Sequence, residues 1–156
     1  MTGAWPLLAL AVPKPGRSTP AVTSVEVGSE GLREFRFEAV ETTHALRPGL
    51  RVPAWGFNGQ VPGPEIRVRE GKRVRLRLFN MSPESHPMHL HGHYFQVVAV
   101  GAQRLAEPWL VKDVLNLDPM ESYEVEFLAD NPGVWMFHCH QQHHADHDLI
   151  ILIRYL

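Results

Sequence analysis

The 156-residue chain has a single cysteine, Cys139, so no intrachain disulfide can form. A lone thiol says little about redox compartment. Long apolar runs are also missing. The longest near the start, Ala4 to Val12, is about half of what spans a bilayer. It lacks the basic flank of a signal peptide and reads as the remnant of an export or anchor segment, or as an edge strand. Charge of one sign is scarce as well: 15 Lys and Arg against 17 Asp and Glu give a net charge of -2, with no case for a nucleic-acid partner. In the most basic stretch, Arg67 to Arg77, the charges alternate with Val68, Val74 and Leu76, as expected of a strand with one solvated face. No segment between Arg33 and Phe137 has a convincing helical period, and no internal repeat is visible.

What remains is ordinary for one soluble domain: 44% apolar and 21% charged residues in a length that supports one core but is short for two. Residues 1–30, rich in Pro, Gly, Ser and Thr, read as a flexible lead-in, and residues 31–156 as the domain. Eight short strands are expected: Phe35 to Val40, Glu65 to Val68, Arg73 to Phe79, Tyr94 to Val100, Val111 to Leu117, Tyr123 to Leu128, Val134 to Cys139 and Leu149 to Arg154. Turn signals such as Pro62-Gly63-Pro64 and Asn131-Pro132-Gly133 separate them. An all-β antiparallel sandwich follows.

Histidine is abundant where other chemistry-bearing residues are not. Nine of the ten lie between His86 and His147, in the clusters His86-Pro-Met-His-Leu-His-Gly-His93 and His138-Cys-His-Gln-Gln-His-His-Ala-Asp-His147. A histidine-rich tract can bind metal nonspecifically, so the spacing has to decide. Side chains alternate faces along a strand. An extended His138-Cys139-His140 therefore points the thiol one way and both imidazoles the other. His89 and His91 share a parity, which His86 does not. Two groups follow. His86, Cys139 and a later histidine offer a thiolate and two imidazoles, the donor set of an electron-transfer copper site. His89, His91, His138 and His140 offer imidazole alone, which suits copper that binds and reduces oxygen. Structural zinc is the weaker candidate, since it wants four closed ligands and these clusters hold many donors with one sulfur. His44 reads as an ordinary strand residue. His93, His143 and His147 lie near the clusters, where they would back the ligands or face solvent.

These motifs resemble the C-terminal copper motifs of multicopper oxidases such as laccases. Phe57-Asn-Gly-Gln-Val-Pro-Gly-Pro-Glu-Ile-Arg-Val and Glu70-Gly-Lys-Arg-Val resemble the opening of a cupredoxin domain in that family, so the resemblance covers about residues 33–156. It implies a Greek-key cupredoxin-like sandwich with copper as cofactor, a small-molecule reductant and oxygen as reactants, and a periplasmic or extracellular location. By position, His86, Cys139 and His144 look like the type 1 copper ligands. Leu149, ten residues after Cys139, stands at the axial place; leucine cannot coordinate, which implies a three-coordinate site of raised potential. Asp148-Leu149 departs there from the Gly-Met often found in the family. His89, His91, His138 and His140 look like half of a trinuclear cluster, His89 for type 2 copper and the others for the type 3 pair. Gln141, Gln142 and His143 stand where the family often has an acidic residue, and His143 is the candidate proton donor in its place. Asp113 matches a structural aspartate of the family.

The family builds its trinuclear site from eight histidines on two domains, and this chain carries one set of four. Another copy of the chain, or a partner cupredoxin domain, is expected to supply the rest. The competing readings are a type 1 electron-transfer cupredoxin, which needs neither His138 nor His140, and a copper nitrite reductase-like enzyme, which has no use for His140. Five methionines without clustering argue against copper storage and against cuprous ion as the favoured reductant.

Overall fold

The computed structural model describes residues 25–27 (backbone only), 31–141 and 149–156. Among them the regular structure is entirely strand. The elements are β1 Val25–Val27, β2 Leu32–Arg47, β3 Leu50–Phe57, β4 Ile66–Val68, β5 Arg73–Asn80, β6 His86–Leu90 and β7 Phe95–Val100. They continue with β8 Gln103–Arg104, β9 Leu110–Lys112, β10 Val114–Leu117, β11 Ser122–Leu128, β12 Val134–Cys139 and β13 Ile150–Tyr155. No helix of the described residues is long and apolar enough to cross a membrane.

One sheet runs β1-β2-β5-β11-β7-β8, with β3 on β2 and β9 on β7; the other runs β10-β6-β12-β13-β4. Residues from both sheets form one core, where Phe37 meets Phe57 edge-on at 5.6 Å and Phe57 stacks on Phe137 at 6.2 Å. Alternation places these side chains. In β5, Val74, Leu76 and Leu78 are buried while Arg73 and Arg77 are exposed, the one-faced pattern the sequence predicts. On the outer face, Arg75 stands opposite Glu34 on one neighbouring strand and Glu126 on the other. The Arg75 Nε–Glu126 hydrogen bond is 2.8 Å, and Arg77 lies 2.9 Å from Glu34.

The expected sandwich is present, with differences in detail. Two pairings, β2 with β5 and β4 with β13, are parallel, because the chain crosses between sheets instead of always turning back on its neighbour. β3 was absent from the expected strands: Pro53 and Gly56 mask it, and it is tolerated because it pairs with β2 alone. The single strand expected over Val111 to Leu117 divides at Asp113. β9 belongs to the first sheet and β10 to the second, so this bend is where the chain changes sheets. Within residues 1–30 only β1 is described, paired with β2.

Phe137 is fully buried between the sheets, two residues before Cys139. Phe137→Ala should lower the unfolding free energy by about 3–5 kcal/mol in denaturant titration. A loss below about 1 kcal/mol would show that the two sheets do not pack through it.

Candidate metal centre

Register brings the two histidine motifs together. β6 and β12 are antiparallel neighbours in the second sheet, with His89 opposite His138, Met88 opposite Cys139 and Leu90 opposite Phe137. The parity expected from the sequence holds. His86, Met88, Leu90, Phe137 and Cys139 are buried in the core; His89 and His138 face outward, half-buried, and His140 is exposed. The backbone on either side is pinned: His91 N donates to Met136 O at 2.9 Å and His140 N to Pro87 O at 2.6 Å.

On the outer face four imidazoles gather. Ring centroids are 4.7 Å apart for His89 and His91, 5.0 Å for His91 and His138, 5.4 Å for His89 and His140, and 6.1 Å for His138 and His140. Their remaining nitrogens are already oriented. His89 Nδ1 lies 2.9 Å from the Asp113 carbonyl and His138 Nδ1 2.7 Å from the Cys139 carbonyl. A carbonyl only accepts, so both Nδ1 atoms donate and both rings carry their lone pair on Nε2. A backbone carbonyl behind the ring is the usual support of a ligating histidine. His91 Nε2 sits 2.8 Å from His138 Nε2, so a proton of His91 now fills the lone pair of His138. A tetrahedral ion held by both nitrogens at about 2 Å would need them about 3.3 Å apart, so binding there would displace the proton and widen the gap. Accordingly, among the described residues no three His, Cys, Asp or Glu side chains already form the shell of one ion. Burial, then the neighbouring imidazoles, hold His91 and His138 below the usual histidine range, which keeps them neutral and able to coordinate near pH 7.

Behind the quartet lies Cys139, its thiol pushed up by burial and its N–H donating to the Leu149 carbonyl at 3.0 Å. Metal binding would have to supply the charge that stabilises the thiolate. Leu149 is fully buried. His86 is buried too, with Nε2 2.7 Å from Ser82 Oγ. Ser82 Oγ is also 2.8 Å from Asn80 Oδ1. With the hydroxyl proton directed to Asn80, Ser82 accepts from His86 Nε2–H, and the lone pair falls on Nδ1. The donor set therefore fits copper on both sides of β12: a thiol and an imidazole inside, four imidazoles outside.

His143, His144 and His147 lie outside the described residues. His44 is on β2 opposite Val52, within the other sheet. Asp113 is exposed, and its contribution comes from the main chain: its carbonyl also accepts from Leu90 N at 3.0 Å. His93 is 7% exposed and joins the core end of the sandwich instead of solvent. Sequence reasoning missed Ser82 and the Asp113 carbonyl. The first is an inconspicuous residue four positions before His86, and the second is a backbone atom with no signature.

Comparison with known proteins identifies the family. The family model described as multicopper oxidase matches residues 34–155. The multicopper oxidase MmcO of Mycobacterium tuberculosis is 37% identical over 93 residues, covering 58% of this chain and 18% of that protein. The iron multicopper oxidase fer1 of Mycosarcoma maydis is 32% identical over 116 residues, 64% of this chain and 18% of the relative. Among solved structures, the blue copper oxidase from Nitrosomonas europaea superposes with a TM-score of 0.65 at 26% identity, over 78% of this chain and 43% of that one. The chain thus spans less than a fifth of the length of these curated relatives. With that family's model running through both histidine motifs and nearly the whole sandwich, the chain belongs to the multicopper oxidase family and is a cupredoxin-like domain of the kind that uses copper.

Proposed function

We propose that this chain is the part of an oxygen-reducing multicopper oxidase that carries one complete electron-accepting copper site and half of a trinuclear one. His86, Cys139 and His144 hold the first, with Leu149 as the apolar axial neighbour; His89, His91, His138 and His140 supply the second. The observation that carries the reading is the quartet itself, four imidazoles on the outer face directly behind the buried Cys139. An electron-transfer cupredoxin or a nitrite reductase-like enzyme has no use for all four. Copper, when bound, supplies one-electron chemistry and the reduction of oxygen. The residues of the chain supply the rest. Cys139 shares its backbone with His138 and His140, so the two sites are joined by covalent bonds. The Asp113 and Cys139 carbonyls fix the rings of His89 and His138 so that lone pairs point outward. His143 is the proposed proton donor toward oxygen.

The other four histidines would come from a second copy of this chain or from a partner cupredoxin domain. The surface beside the quartet supports such an approach. Val134 and Met136, which precede His138 on the same face of β12, are 51% and 39% exposed, and Ile150 and Leu152 stand opposite His138 and Met136 on β13. An apolar sheet face edged by ligands is better covered than wet. The reductant is a small molecule, with phenols, aromatic amines and cuprous ion all suited to the family. The enzyme would work outside the cytoplasm.

Cys139→Ser should abolish the intense visible band of the copper-loaded protein, and a band that survives would remove Cys139 from the site. Copper per chain, solution mass and oxygen uptake together test the larger reading. More than one copper per chain in an assembly that consumes oxygen is expected. A blue monomer with one copper and no oxygen uptake would make the chain an electron carrier. His140→Ala should keep the visible band while stopping oxygen uptake; uptake at the unmodified rate would sink the role of the quartet.

A further inference from the structure

His91 follows the last residue of β6, and the turn it begins is held from the core side by a network that the copper ligands do not explain. His93 Nδ1 lies 3.1 Å from the His91 carbonyl, and its Nε2 lies 2.7 Å from the Tyr155 hydroxyl. The Asn131 N–H donates to that hydroxyl oxygen at 3.3 Å. With a neutral imidazole, one assignment of protons satisfies all three contacts. A carbonyl cannot donate, so His93 Nδ1–H donates to His91 and Nε2 accepts from Tyr155. The chain then runs in one direction, from Asn131 N–H through the Tyr155 hydroxyl and the His93 ring to the His91 carbonyl, and such chains polarise one another. A second arm reaches the same turn. Asn131 Nδ2 donates to the Gly92 carbonyl at 2.9 Å, and Trp135 Nε1 donates to the Asn131 carbonyl at 2.7 Å. Gly92 has φ +70°, and a Cβ there would come within 2.6 Å of the Trp135 ring. The rings are packed as well as bonded: His93 stacks on Tyr155 with 12° between planes and meets Trp135 edge-on at 5.9 Å.

Resting on the copper reading above, we infer that His93 and Tyr155 are positioning residues that fix the backbone of His91 and so place its ring in the quartet. Neither touches the imidazole of His91. Their effect passes through its carbonyl and the clamped glycine. His91 lies one residue beyond the end of β6: its N–H still donates to Met136 on β12, while its carbonyl is met by His93. His89 and His138, within strands, are held by the sheet. Tyr155 can fill the role because burial keeps its phenol above the usual range and therefore a donor.

Tyr155→Phe removes one oxygen and leaves the stacked ring. Nitrogen-15 NMR of the metal-free protein should find His93 as the Nδ1–H tautomer and, in the variant, shifted His91 ring resonances with those of His140 unchanged. Titration with Cu(II) should then show imidazole-bound copper about tenfold weaker, with the visible band of the cysteine site intact. His93→Phe, which keeps a ring but deletes both hydrogen bonds, should behave alike and serves if the first variant folds poorly. Unmoved His91 resonances, or a variant that loses both copper sites together with its melting temperature, would overturn the inference. If the unmodified protein binds no copper through imidazoles, the proposed function fails, while the metal-free NMR comparison still decides the role of Tyr155.

Discussion

Everything at the metal centre depends on the two-residue period of one strand. Because β12 is extended and inserted between β6 and β13, adjacent residues must part to opposite sides of the sheet. A thiol in the dry core and an imidazole at the surface become nearest covalent neighbours without any special loop. A helix would scatter the three residues around an axis, and an irregular loop would not fix their separation. The antiparallel register with β6 then doubles the arrangement, since His89 meets His138 on one side and Met88 meets Cys139 on the other. A slip of one residue would turn every one of these side chains to the wrong face, and the buried Phe137 and Leu90 set the register against it.

Much of this was legible in the sequence because it rests on parity. The separation of His86 and Cys139 from the quartet, the solvated face of β5 and the sandwich itself all follow from alternation. What was not legible rests on contacts between segments distant in the chain. Pro53 and Gly56 hide β3, whose tolerance for them comes from pairing on one side only. The division at Asp113 left no mark, since Val111 to Leu117 alternates well enough for one strand. His93 looked like one more histidine near a metal motif, and only the fold shows that its partner is Tyr155, 62 residues later. His143 and His144 rest on family resemblance alone.

The quartet and the core site differ in what they ask of the fold. Burial and the neighbouring rings hold His91 and His138 below the usual histidine range, so the metal-free protein avoids gathering charge at the middle of the quartet. The lone pair of His138 is occupied meanwhile by a proton of His91. The inner cysteine is kept protonated by the same apolar surroundings that exclude water. Under the proposed function, copper entering at Cys139 or between His91 and His138 would release protons.

The lattice of charge on the outer face of the first sheet has a consequence for assembly. Arg73, Arg75 and Arg77 are matched against Glu34, Glu124 and Glu126, with Glu126 only 5% exposed, so a partner laid on that surface would displace bonds already made. The opposite sheet presents aliphatic side chains and the imidazole quartet. The domain is therefore two-sided, like a tile glazed on one surface and left keyed on the other. In the assembly proposed above, stacking by the charged side would be disfavoured before any histidine met its counterpart.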